Sequence, residues 1–111
     1  MTQKEFNDVV GRQMECCKSM LVLKGAEYAP KGMNGSETDR LIHFKKAAVM
    51  MDCTPKEALV GMLTKHLVSV LDMCKKNQAY PKKQWEEKIT DSINYLLILR
   101  AIIEEEQNGK N

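Results

Sequence analysis

Apolar residues recur at three- and four-residue steps along nearly the whole chain, the period of an amphipathic α-helix. Phe6, Val9, Val10, Met14, Cys17, Met20 and Leu21 form the first such series, and Gly25 stands where a left-handed turn would close it. This predicts a helix over about residues 3–24. The stretch that follows, AEYAPKGMNGSET, concentrates Pro, Gly, Asn and Ser in the longest non-periodic segment and predicts a loop, a common place for functional groups held by a rigid scaffold.

Ser36, three residues before Asp39, is a candidate cap, and Leu41, Phe44, Ala48 and Met51 continue a helical period. A second helix is expected over about 37–51. TPKE at 54–57 is the clearest local signal: Thr54 caps, Pro55 suits the first helical position and Glu57 reaches back to complete a capping box. A third helix over about 55–76 follows, and a fourth over about 82–106, with Asn108-Gly109 as its stop. No strand signal competes with these, since YLLIL lies inside a longer helical pattern. The expected fold is all-α: a single domain over residues 1–111, an antiparallel four-helix bundle completed by self-association.

The last helix carries an anomaly. In EEKITDSINYLLIL, residues 86–99, Glu87, Asp91 and Asn94 fall within a sector of about 60 degrees that runs on into Ile98, Ala101 and Ile102. The other flank is also apolar, with Ile89, Ile93, Leu96, Leu97 and Ile103, so both sides are expected to pack. Acids leading into a buried face need cations, donors or a metal, because an uncompensated charge there costs several kcal/mol. The third helix offers Lys65, Ser69 and Asp72 on one face beyond the small Ala58 and Gly61; the second offers Asp39, His43 and Lys46. Polar lines converging from several helices would give the mix of acids and cations that suits Mg²⁺ and phosphates. Two plainer outcomes stand beside this: acids solvated in the first turns of a helix, where the helix dipole favours them, or a structural Lys65–Asp91 ion pair. His43 and His66 are each more often surface or satisfied core residues than ligands, and Tyr28 and Tyr95 more often packing rings than base-stacking platforms.

Composition narrows the classes. The chain has 111 residues and a formal charge of +2, so no strong field draws it to nucleic acid or a membrane surface. The lysine doublets at 45–46, 75–76 and 82–83 are spread along the chain, as solvated outer faces are. No apolar signal core or spanning run is present, and a cytoplasmic protein is expected. The four cysteines, at 16, 17, 53 and 74, form no C-x-x-C pair and read as reduced core filler, as do most of the eight methionines.

KGAEYAPKG, DRLIHFKKAA, TPKEALVGMLTKHLVSVLD and EEKITDSINYLLIL, in that order and spacing, resemble a family of small phage and prophage proteins. That family is described as nucleotide-modification associated and is distantly similar to the MazG-like all-α nucleoside triphosphate pyrophosphohydrolases. The resemblance covers about residues 20–105 and rests chiefly on D-R-x-x-x-F-K at Asp39, Arg40, Phe44 and Lys45, K-H at Lys65 and His66, and D-x-x-N-Y at Asp91, Asn94 and Tyr95. It implies a four-helix core in a homodimer or homotetramer in the host cytoplasm. It also implies Mg²⁺ held by Glu27, Glu87 and Asp91 and a nucleotide contacted by Arg40, Lys45, Lys65, His66, Asn94, Tyr95 and Tyr28. The implied reaction is Mg²⁺-assisted attack of water between the α and β phosphates of a nucleoside triphosphate or modified nucleotide, with Glu87, Asp91 and Lys65 as catalytic groups. The chain departs from the MazG-like acid elements, for Glu86-Glu87 is followed by Thr90 rather than a third acid, and Lys88 stands three residues before Asp91. A non-catalytic nucleotide-binding protein that sequesters or senses its ligand is therefore the alternative, and a helical interaction module a third.

Overall fold

The computed structural model describes residues 1–28 and 39–109. Among these residues it is all helical, with α1 at Gln3–Tyr28, α2 at Ile42–Met51, α3 at Pro55–Lys75 and α4 at Lys82–Asn108. No described helix is long and apolar enough to cross a membrane.

Local chemistry accounts for the boundaries. α1 begins at a reciprocal cap: the Thr2 hydroxyl accepts from the Glu5 N–H at 3.1 Å, and the Glu5 carboxylate accepts from the Thr2 N–H at 3.0 Å. Gly25 does not end α1, which continues to Tyr28. The Arg40 side chain lies across Gly25 instead, and a Cβ at that glycine would stand 3.2 Å from Arg40 Nε. The missing side chain serves a close approach rather than a turn.

α2 starts at Ile42 rather than near residue 37; the expected cap, Ser36, lies outside the described residues. Asp39 organises the entry, its carboxylate accepting from the Leu41 N–H at 2.9 Å and its carbonyl from the Ile42 N–H at 3.2 Å. α3 begins as TPKE predicts, with Pro55 in the first turn and the Thr54 hydroxyl accepting from the Glu57 N–H at 3.3 Å. The second limb differs, because the Glu57 carboxylate accepts from the Thr54 hydroxyl at 3.0 Å rather than from its backbone.

α2 ends on Asp52, whose φ of 52° is left-handed, while the Cys53 N–H closes back onto the Ala48 carbonyl at 2.9 Å. An acid here suffers both the left-handed backbone and the negative end of the helix dipole. Asp52→Gly is expected to stabilise the fold by about 1 kcal/mol. The check is a higher urea midpoint at unchanged slope.

α2 packs on α3, α3 on α4, and α1 chiefly on α4. The links Lys56–Glu106 and His66–Asp91 run in opposite directions along the chain, so α3 and α4 are antiparallel. The core gathers Leu41 and Phe44 before and within α2, Leu59 and Leu63 of α3, and Ile102 of α4, with Met62, Tyr95, Ile98 and Leu99 packed against it. Three helices thus share one core, and α1 lies on the far flank of α4. The second apolar flank of α4, expected to pack, is only partly covered: Ile89, Leu96 and Leu97 remain exposed.

Lys45 ties the ends of this core together. Its ammonium sits 2.5 Å from Asp39 and 2.6 Å from Glu105. The hydrogen bond from Lys45, then that from the Leu41 N–H, hold the Asp39 carboxyl below its usual range, and bonds to Asp39 and Glu105 hold Lys45 above its own. All three side chains are a third or more exposed, so screening limits the cluster to about 0.5–1 kcal/mol. The Asp39 contribution is present above its unfolded pKa and lost as pH falls through its depressed folded value. The Lys45 contribution is complete below its unfolded pKa and lost as pH rises through its raised value. Lys45→Met is therefore expected to be less stable than the parent by that amount between about pH 4 and pH 10, with the gap closing outside that window. Urea titrations at several pH values measure it.

Candidate functional site

Three polar residues of α4 are buried among the described residues, and they separate by how they are satisfied. The Ser92 hydroxyl donates to the Lys88 carbonyl one turn back at 3.0 Å. Thr90 faces α1, where the Gln13 amide donates to its hydroxyl at 2.7 Å. Asn94 is only 6% exposed, and its Oδ1 accepts no hydrogen bond. A buried oxygen left without a donor costs about 1–3 kcal/mol, so Asn94 is the point where this helix gives up stability.

The helical period fixes what surrounds it. Thr90 and Leu97 mark the line along which α4 meets α1, Leu97 bordering a groove with Met14, Cys17, Leu21 and Val22 of α1. Asp91 and Tyr95 mark the line along which α4 meets α3: Asp91 Oδ2 is 3.9 Å from His66 Nδ1, and the Tyr95 and His66 rings pack at a tilt of 32° with centroids 4.8 Å apart. Asn94 falls between these two lines on the wheel, one turn beyond Asp91. At 3.9 Å the His66–Asp91 contact is an ion pair only when the imidazole is protonated, and too long for a hydrogen bond. Asp91, His66 and Tyr95 are each half-buried, open enough to meet a ligand.

The other expected site residues divide. Glu87, one turn before Asp91, is exposed, so the first half of the acid stripe is solvated. Lys65 is also exposed; among the described residues Asp91 pairs with His66, and no ion pair joins it to Lys65. A single step along α3 turns the direction by about 100°, which is what separates the two members of the K-H pair. Lys45 belongs to the structural cluster with Asp39 and Glu105. Arg40 is half-buried against Gly25 and makes no ion pair among the described residues. Glu27 is exposed near the end of α1, 3.9 Å from Lys24, and the side chain of Tyr28 lies outside the described residues.

Gln13 and Thr90 are a pair that the pattern of the chain did not single out, although a glutamine set in the apolar stripe of α1 signals a buried polar partner. Core filling holds for Cys17 but not for the other cysteines: Cys16 and Cys53 are half-buried and Cys74 is exposed. Cys17 is fully buried, and burial together with the nearby Glu86 carboxylate holds the Cys16 thiol above its ordinary range, which keeps it protonated and a poor nucleophile.

Among the described residues no three of His, Cys, Asp and Glu gather as a resident metal would require. Glu87 and Asp91, one turn apart, still match the one or two carboxylates by which Mg²⁺ is held when it arrives with substrate phosphates and keeps several waters. Such a metal would come with its ligand. The fold and these residues define an all-α protein with a partly open polar seam on its longest helix. In comparisons with known proteins, the chain matches no family model, no curated protein and no solved structure.

Proposed function

We propose that the face of α4 around Asn94 binds a nucleotide, in keeping with the resemblance to nucleotide-modification-associated and MazG-like proteins. The observation that carries this is the buried Asn94 Oδ1 with no donor among the described residues, one position from Tyr95, whose ring meets His66 at a tilt. A nucleobase supplies what this place lacks: an N–H for the amide oxygen and a flat face for the His66–Tyr95 pair. Arg40, half-buried against Gly25, would take phosphate through its guanidinium. A further copy of the chain, in a dimer or tetramer, is the other proposed partner.

A second reading, Mg²⁺-dependent pyrophosphohydrolysis, is favoured by the spacing of Glu87 and Asp91. The two carboxylates would hold the metal, and the neutral imidazole of His66, against the Tyr95 ring, would take a proton from water. The bound metal would supply charge neutralisation of the phosphates.

A thermal-shift screen of the chain against nucleoside triphosphates, with and without Mg²⁺, coupled to a pyrophosphate assay, tests both. A ligand at about a hundred times its dissociation constant stabilises by about 2.7 kcal/mol, on the order of 10 °C for a domain of this size. A shift with released pyrophosphate supports the hydrolase, and a shift without it supports binding alone. No shift with any nucleotide would remove the nucleotide reading and leave an interaction module.

A further inference from the structure

Two of the three lysine doublets, distant from the third, come together in the fold. Lys75 and Lys76 end α3, Lys82 and Lys83 open α4, and residues 76–81 turn the one helix back beside the other, so four lysines gather at one end of the molecule. All four are exposed, and none enters an ion pair among the described residues. No acid lies between Asp72 and Glu86. The formal charge of +2 is thus a sum over unlike regions, and this one is basic.

Helix stability accounts for only one of the two doublets. Lys75 and Lys76 stand at the negative end of α3, where cations are favourable. Lys82 and Lys83 stand in the first turn of α4, which has no acid and no side-chain cap and already carries positive partial charge, so there they cost the helix stability. Aromatic rings lie beside them. Tyr80 and Trp85, both half-buried, meet edge to face with centroids 5.8 Å apart at 85°, an arrangement in which each ring keeps a face that the other does not cover.

We propose that this end of the molecule binds single-stranded nucleic acid, the four lysines lying along the phosphates and a base stacking on Trp85. Cations that track a backbone, with a ring that takes any base by its face, are what a single strand requires. A lipid surface is the poorer match, because residues 75–85 contain no Leu, Ile, Val, Met or Phe to enter it. The surface also stands apart from the polar seam of α4. Asn94 lies farther along that helix than Lys83 by roughly 16 Å at 1.5 Å per residue, so strand binding owes nothing to the nucleotide reading.

Trp85 is the only tryptophan of the chain, so its fluorescence reports the stacking directly. Titration of the full chain with an oligothymidylate of about a dozen nucleotides at low salt is expected to quench that signal. Log affinity is expected to fall against log salt with a slope of about −3, which is about 0.7 for each lysine. Lys82→Glu combined with Lys83→Glu is expected to weaken binding about tenfold or more and to halve the slope, while acids in the first turn raise the melting temperature, so the loss is not unfolding. Lys18→Glu combined with Lys46→Glu, exposed on α1 and α2, makes the same change in net charge and is expected to keep the slope. Absence of quenching, a Lys82/Lys83 reversal that leaves affinity unchanged, an equal loss from the Lys18/Lys46 reversal, equal affinity for the matching duplex, or binding to phosphatidylserine vesicles in place of the oligonucleotide would overturn the proposal.

Discussion

Leu59→Ala is expected to destabilise the protein by about 3–4 kcal/mol, the largest stability effect of any single substitution considered for this fold. Leu59 is fully buried and meets the core where α2, α3 and α4 converge, so its removal leaves a cavity bounded by three helices. Small cores relax poorly around such a void. A domain of this kind has about 5–15 kcal/mol in all, so the variant is expected to lose a large share of its stability, and its melting temperature by 10 °C or more. A two-state urea titration measures the loss, and a cost under about 1 kcal/mol would show that the shared core does not organise the fold.

Asn94→Leu is expected to act in the opposite direction on stability and to abolish ligand binding. The substitution nearly preserves volume and removes the one buried side-chain oxygen that has no donor among the described residues, so a gain of about 1–2 kcal/mol is expected. A residue kept at such a cost is characteristic of a site whose partner arrives from outside. If the variant is instead less stable than the parent, the Asn94 oxygen is already satisfied in solution, and the case that it awaits a ligand fails. Denaturation of both proteins, with and without nucleotide, separates the two effects.

How far the chain could be read in advance depended on whether the deciding contact was local. The TPKE start of α3 and the position of α4 followed from residues within a turn of one another, and they are found as expected. The end of α1 is not legible locally, because a glycine that permits a left-handed turn and a glycine that admits a neighbour look alike along the chain; Arg40, fifteen positions on, distinguishes them. Lys45 was equally opaque, since Glu105 lies sixty residues away and turns a candidate phosphate ligand into a structural strut. The polar stripe on α4 was visible, yet its division was not. Glu87 projects to solvent and Asn94 is buried because α1 and α3 flank the helix at the level of Thr90 to Tyr95, a tertiary fact that periodicity alone does not carry.

The claim underlying the proposed function is that the vacant acceptor on α4 is where a nucleotide docks. Side-chain NMR of the chain titrated with a nucleoside triphosphate and Mg²⁺ addresses it directly. The Asn94 amide and the His66 and Tyr95 ring signals are expected to shift together and saturate at one concentration. A nucleotide that binds while those three signals stay fixed would place the site elsewhere and contradict the account.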